Sequence, residues 1–242
     1  LAVVNPSAGN IGGGGFMLIH LAEKNETFSI DYRERAPIKS FEKMFQDNSG
    51  KVVKGLSLNS ILATGVPGTV SGMFYVSEKF GTSNIKSLIA PSINLARRGF
   101  ALSDFQAKNL NKYKQKFSKN EEAKKIFTRP FGFSEGDMLV QKNLASTLER
   151  IAQNGEEEFY SGETANKIVD FFQISGGILS LEDLNQYKLR ILKPVCGNYR
   201  YYEICSMAPP SSGGIALVQI LNILENIDLS KLDHNSEEYL KI

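Results

Sequence analysis

The sequence predicts a mixed α/β (α+β) protein forming one unit over residues 1–242. Three observations carry that expectation. Strand-type alternation with hairpin spacing stands near both ends of the chain, the stretch between follows helical spacing, and no repeat or Pro/Gly/Ser linker divides it. Taken alone, the strands are too few for a complete sheet, so the pattern reads as part of something larger.

The first hairpin pairs the apolar run 16–22 with the alternating run 27–33 across a polar turn. In the second run Phe28, Ile30 and Tyr32 share the face expected to meet a core. Thr27, Ser29, Asp31 and Arg33 share the reverse, solvent-side face. Pro37 ends the strand. Gly65-Val66-Pro67-Gly68 is a sharp turn, after which 69–80 reads as a helix stopped by Gly81. Leu88, Ile89, Ile93 and Ala96 place a second helix over 85–98, with Arg97 and Arg98 in its last turn, where cations suit the dipole.

Ser118 and Glu121 form a capping-box pattern for a short helix to Phe127, and 128–137 is a loop. Leu144, Leu148, Ile151 and Ala152 make an apolar stripe that Gly155 ends, and 164–172 is a further helix. Ser180 to Asp183 opens another short helix by the same capping logic. A second hairpin is expected over 191–207, with its turn near Arg200-Tyr201. Leu217, Val218, Leu221, Leu224 and Ile227 mark the closing helix.

Composition narrows the function classes. At 42 % hydrophobic and 22 % charged with a formal net charge of +2, the chain gives no reason to expect nucleic acid or an anionic membrane as partner. No stretch approaches the roughly 18 consecutive apolar residues of a membrane span. The Lys-rich part from Lys112 to Lys125 carries Glu121 and Glu122 among its bases and reads as a solvated helical face. His20 and His234 lie far apart and fit no ligand spacing with the cysteines, so no metal or other cofactor is expected. Both chain ends read as cut from a longer sequence, so a missing leader says nothing about export.

Three stretches could carry chemistry. The run Gly12-Gly13-Gly14-Gly15 lacks dinucleotide spacing, since position 17 is Met, and a strand rather than a helix follows it. Glycines at that density let another backbone or a substrate approach closely. Arg33, flanked by Asp31 and Glu34, offers a rigid fork of donors suited to a carboxylate. On local grounds the alternative, an arginine in a surface ion pair held by those acids, is preferred, and Arg35 is expected on the other face. Pro209-Pro210-Ser211-Ser212-Gly213-Gly214 reads as a stiff helix entry with Ser211 or Ser212 as N-cap; a helix N-terminus could also receive an anion. Cys196 and Cys205 would fall opposite each other on the second hairpin, where a bridge is possible, but two buried free thiols are expected.

Four motifs in order then carry a resemblance. They are Asn5-Pro6-x-x-Gly9-Asn10-Ile11-Gly12-Gly13-Gly14-Gly15-Phe16, Asp31-Tyr32-Arg33-Glu34-x-Ala36-Pro37, Val66-Pro67-Gly68-Thr69-Val70-x-Gly72 and Pro209-Pro210-Ser211-Ser212-Gly213-Gly214. Together they resemble γ-glutamyltranspeptidases across essentially the whole chain, Ala208 standing where the motif more often has a third proline.

The resemblance implies part of an αββα four-layer sandwich of the N-terminal nucleophile hydrolase type. It implies a periplasmic or extracellular precursor that cuts itself into large and small subunits. The family's threonine nucleophile heads the small subunit and uses its own amino group as base. It takes the γ-glutamyl group of glutathione and passes it to water or to an amino-acid or peptide acceptor. This chain corresponds to the large-subunit portion, with no catalytic residue of its own and with Arg33 matching the arginine that holds the substrate α-carboxylate. The small subunit of the same precursor is the implied partner. Rival readings are a related cephalosporin acylase, a poly-γ-glutamate transpeptidase subunit, or a non-catalytic binding descendant.

Overall fold

The computed structural model describes residues 1–6 and 8–241. The opening residues form a turn, Asn5 N–H donating to Leu1 C=O at 2.9 Å. The hairpin β1 (Phe16–Leu21) and β2 (Glu26–Asp31) follows. Next come α1 (Leu56–Asn59), α2 (Thr69–Phe80), α3 (Ile85–Arg98), β3 (Phe100–Ala101), α4 (Asp104–Lys112), α5 (Lys114–Phe117) and α6 (Glu121–Phe127). β4 (Met138–Leu139), α7 (Lys142–Asn154), α8 (Glu157–Tyr160), α9 (Glu163–Ile174) and α10 (Leu181–Asn185) complete the middle of the chain. The last part holds β5 (Arg190–Leu192), β6 (Val195–Tyr199), β7 (Tyr202–Ser206), α11 (Gly213–Leu224) and α12 (Glu237–Leu240). These elements form two compact units, one of Leu1–Gly14 with Arg33–Lys188, the other of Gly15–Tyr32 with the residues from Leu189 on.

The first unit is helical. Ala96 of α3 and Ala145 of α7 are fully buried, and with Val3 and Leu148 they form one apolar cluster. Small residues at that contact let the two helix backbones approach closely. A second cluster joins Val66 and Val70 to Ile151, Phe159, Val169, Phe172 and Leu184. A third holds Leu102, Ala107, Leu110, Phe133 and Leu139.

The capping residues explain where helices start. Asn84 caps α3 by accepting from Lys86 N–H, and Gly99 at φ 85° ends it where a side chain would be strained. Asn120, rather than the expected Ser118, caps α6 by accepting from Ala123 N–H, while Ser118 Oγ donates back to Lys114 C=O. α4 was not evident in the pattern, yet it carries a full capping box between Ser103 and Gln106.

The second unit contains an antiparallel sheet in the order β1-β2-β5, with Phe16 opposite Asp31, Leu21 opposite Glu26, and Asp31 opposite Arg190. The expected polar, solvent-side face of β2 is corrected here: Ser29 and Asp31 are as fully buried as Ile30. Ser29 Oγ donates to Met207 Sδ at 3.2 Å and accepts from Ala208 N–H at 3.4 Å. The second predicted hairpin divides at Lys193-Pro194: β5 joins β2, and only β6 and β7 pair with each other. Their register sets Cys196 opposite Cys205, and the two are joined in a disulfide. The expectation of two buried free thiols is therefore overturned, because the close cross-strand approach, 4.1 Å between Cα atoms, brings the sulfurs within bonding reach. Cys196 is also exposed. α11 packs on this hairpin through Val218, which lies where a Cβ on Gly197 would fall, 2.7 Å away.

Candidate functional site

The chain leaves β2 in a segment, 33–38, that the first unit fixes from two sides. On one side Arg35 and Val66 exchange backbone hydrogen bonds, Arg35 N–H to Val66 C=O at 3.1 Å and Val66 N–H to Arg35 C=O at 2.7 Å. On the other side Tyr187 donates its hydroxyl to Arg33 C=O at 2.9 Å. Asp183 Oδ1 accepts from Ile38 N–H at 2.5 Å, while Asp183 Oδ2 accepts from the N–H and hydroxyl of Ser180 and so caps α10. One buried carboxylate thus starts a helix and anchors the segment.

Glycines account for how Glu34 fits. A Cβ on Gly65 would lie 2.8 Å from Glu34 Cβ and 3.1 Å from Arg35 C=O, and one on Gly13 would lie 3.4 Å from Glu34 Oε1. Gly13 C=O also accepts from Gly68 and Thr69 N–H at the start of α2, at 2.8 and 3.0 Å. The expectation that the glycine run admits another backbone is realised at Gly13.

Arg33 is exposed and lines an open cavity of about 540 Å³. Glu34, Ser40, Thr64 and Arg35 share that lining, so Arg35 does not turn to a separate face as expected. Asp31 differs from expectation too: its carboxylate is engaged by Arg190, Oδ2 accepting from Nε at 3.0 Å and Nη2 at 2.5 Å. A second cavity of about 350 Å³ lies among α4, α5, α6 and the β3–β4 pair. It is lined chiefly by Phe100, Phe105, Leu110, Tyr113 and Phe127, with no charged residue. Of these two cavities, the one at Arg33 offers cations for an anionic ligand.

Behind the segment two aromatic rings stack. Tyr160 and Tyr187 lie nearly parallel, 10° apart with centroids at 5.6 Å. Tyr160 donates to Pro67 C=O at 2.9 Å and accepts from Ser71 N–H at 3.2 Å. Burial pushes its hydroxyl far above the usual phenol range, so it stays protonated and keeps donating. Sequence pattern singled out neither tyrosine, since each depends on contacts distant along the chain. Asp183 was legible only as a capping residue.

At the second loop, Pro209-Pro210 is a cis peptide, and Ser211 Oγ accepts from Gly213 N–H at 3.3 Å. Ser212 occupies the cap position of α11 without a side-chain cap bond, so Ser211 makes the contact expected of either serine. Among the described residues Cys196, Glu203 and Cys205 form the one group spaced as metal ligands could be, and the disulfide occupies both sulfurs.

Known proteins share these features. The chain is 46 % identical to a glutathione hydrolase proenzyme of Escherichia coli, over all of this chain and 42 % of that protein. It is similar to the crystal structure of Helicobacter pylori γ-glutamyltranspeptidase, with a TM-score of 0.95 and 47 % identity over 99 % of this chain and 69 % of that one. The transpeptidase CapD of Bacillus anthracis matches at a TM-score of 0.78 and 31 % identity, over 100 % of this chain and 75 % of that one. The fold is therefore of the N-terminal nucleophile hydrolase class. Within that class the γ-glutamyltranspeptidase pattern matches residues 1–242, and the chain belongs to that family. It spans less than half the length of the E. coli precursor it matches.

Proposed function

We propose that this chain is the large-subunit portion, a single functional domain over 1–242, of an exported γ-glutamyltransferase and glutathione hydrolase. In this reading Arg33 grips the α-carboxylate of the γ-glutamyl group through two parallel N–H···O bonds. The observation that carries it is the exposed Arg33 on a segment fixed from both sides, lining a cavity with Glu34, Arg35, Ser40 and Thr64. Arg33 and Arg35 outnumber the one carboxylate in that lining, Glu34, and so favour an anionic substrate, and the restrained backbone limits how far the fork can wander.

The nucleophile belongs to the portion of the precursor outside this chain. Its threonine hydroxyl attacks the γ-amide carbonyl, its α-amino group takes the hydroxyl proton, and the amine leaves with a proton. Water or an acceptor amine then releases the glutamyl group from the ester. Large apolar side chains exposed on α11, among them Ile215, Ile220 and Ile223, support a partner subunit from the same precursor.

The test is Arg33→Ala and Arg33→Lys in the complete precursor, assayed with a γ-glutamyl anilide. The loss of a charge-assisted bidentate contact should raise KM by about tenfold or more in both variants, with self-cleavage intact. A near-normal KM in both would sink the assignment. A precursor with no threonine heading its second segment would reduce the chain to a non-catalytic relative.

A further inference from the structure

We propose that Tyr187 is a positioning residue for Arg33, set in place by its stack on Tyr160; this rests on the carboxylate-binding role of Arg33. The two tyrosines brace the two bridged segments of the site, at Arg33 and at Pro67, from one stacked unit. Tyr187 holds Arg33 C=O, Tyr160 holds Pro67 C=O, and between those points Arg35 and Val66 are bonded to each other. The stack lies against a buried cluster that includes Val66, Val70, Phe159 and Leu184, so the ring of Tyr187 has a firm backing.

A bond to a main-chain carbonyl matters for the side chain because the peptide orientation sets the Cα–Cβ direction. A small rotation of the Arg33 peptide swings a long guanidinium off the position where both its N–H groups meet a carboxylate. Asp183 does the corresponding work at Ile38, so the segment is held at both ends and bridged in the middle. The Tyr187 hydroxyl is therefore assigned to substrate affinity, and its ring to stability.

The experiment is a double-mutant cycle in the complete, processed enzyme. Tyr187→Phe keeps the ring on Tyr160 and deletes only the hydroxyl. The expected result is a KM raised about fivefold, the size of one hydrogen bond, with kcat and self-cleavage unchanged. Thermal stability should stay within about 3 °C. In an Arg33→Ala background the same change should leave KM unaltered, because there is no guanidinium left to aim. Tyr187→Leu should lower the melting temperature as well, since it also removes the stacked ring.

Unchanged KM in Tyr187→Phe beside a raised KM in Arg33→Ala would overturn the positioning role and leave the Arg33 role standing. An equal rise in both backgrounds would also overturn it, since the hydroxyl would then act independently of Arg33. An unaltered KM in Arg33→Ala itself would remove the carboxylate-binding role and this inference together.

Discussion

α9 and α11 are both twelve residues long, and they are used in opposite ways. α9 carries Glu163, Lys167 and Asp170, yet it buries Thr164, Ala165, Val169 and Phe172. α11 is almost wholly apolar from Ile215 to Leu224, yet among its residues only Gly214 is buried. Ile220 and Ile223 are 54 % and 67 % exposed. Apolar character alone does not decide burial; a helix is covered only where a partner face is supplied. The first unit supplies its own, since all three buried apolar clusters lie within it. α11 has the β6–β7 hairpin on one side and bare isoleucines on others.

The largest expected effect comes from breaking the self-sufficient unit at Glu158. This buried carboxylate accepts from Arg150 Nε at 2.9 Å and from Thr164 N–H and hydroxyl at 3.1 and 2.8 Å. Glu158→Ala leaves Arg150 without its buried partner and should cost about 3 kcal/mol in thermal or denaturant unfolding. The same site predicts a pH dependence. Burial works against ionisation, but the bonds from Thr164 and Arg150 outweigh it and hold the carboxyl below its ordinary 4.5. A depressed folded pKa gives stability that is fully present above 4.5 and lost as pH falls through the lower folded value. Stability measured downward from pH 5 should therefore decline less steeply in Glu158→Gln, and an identical acid limb would refute the coupling.

A middle-sized effect tests α11. If the portion of the precursor outside this chain covers its bare face, Ile220→Ser with Ile223→Ser in the complete precursor removes two buried side chains. The expected loss is about 2–3 kcal/mol of combined subunit association and stability, because only the exposed part of each side chain, 54 % and 67 %, remains for a partner to cover. Native size and unchanged melting would mean that the face meets only solvent, and the contrast with α9 would then need another cause.

The smallest effect is at the hairpin on which α11 rests. Cys196→Ser with Cys205→Ser opens a short covalent loop and should lower stability by about 2 kcal/mol. Thiol titration of the unfolded, unreduced protein should find both cysteines blocked.

Much of this was legible in the chain. Helical spacing with Arg97 and Arg98 in the last turn gave α3, alternation gave the β1–β2 pair, and the hairpin turn at Arg200-Tyr201 gave the register that opposes Cys196 to Cys205. Arg33 stood out through residue chemistry and through the motif around it. These signals are local, or depend on residues in a fixed order, so a linear reading can find them.

What only the tertiary structure decided is non-local. β5 joining β2 assigns Asp31 to Arg190, residues 159 apart in sequence. Tyr187 reaches Arg33 across a separation of 154, and Asp183 reaches Ile38 across 145. No periodicity records such pairings, because any tyrosine hydroxyl or carboxylate of suitable reach could serve. Only the packing of the helices between them brings these particular groups within hydrogen-bond distance.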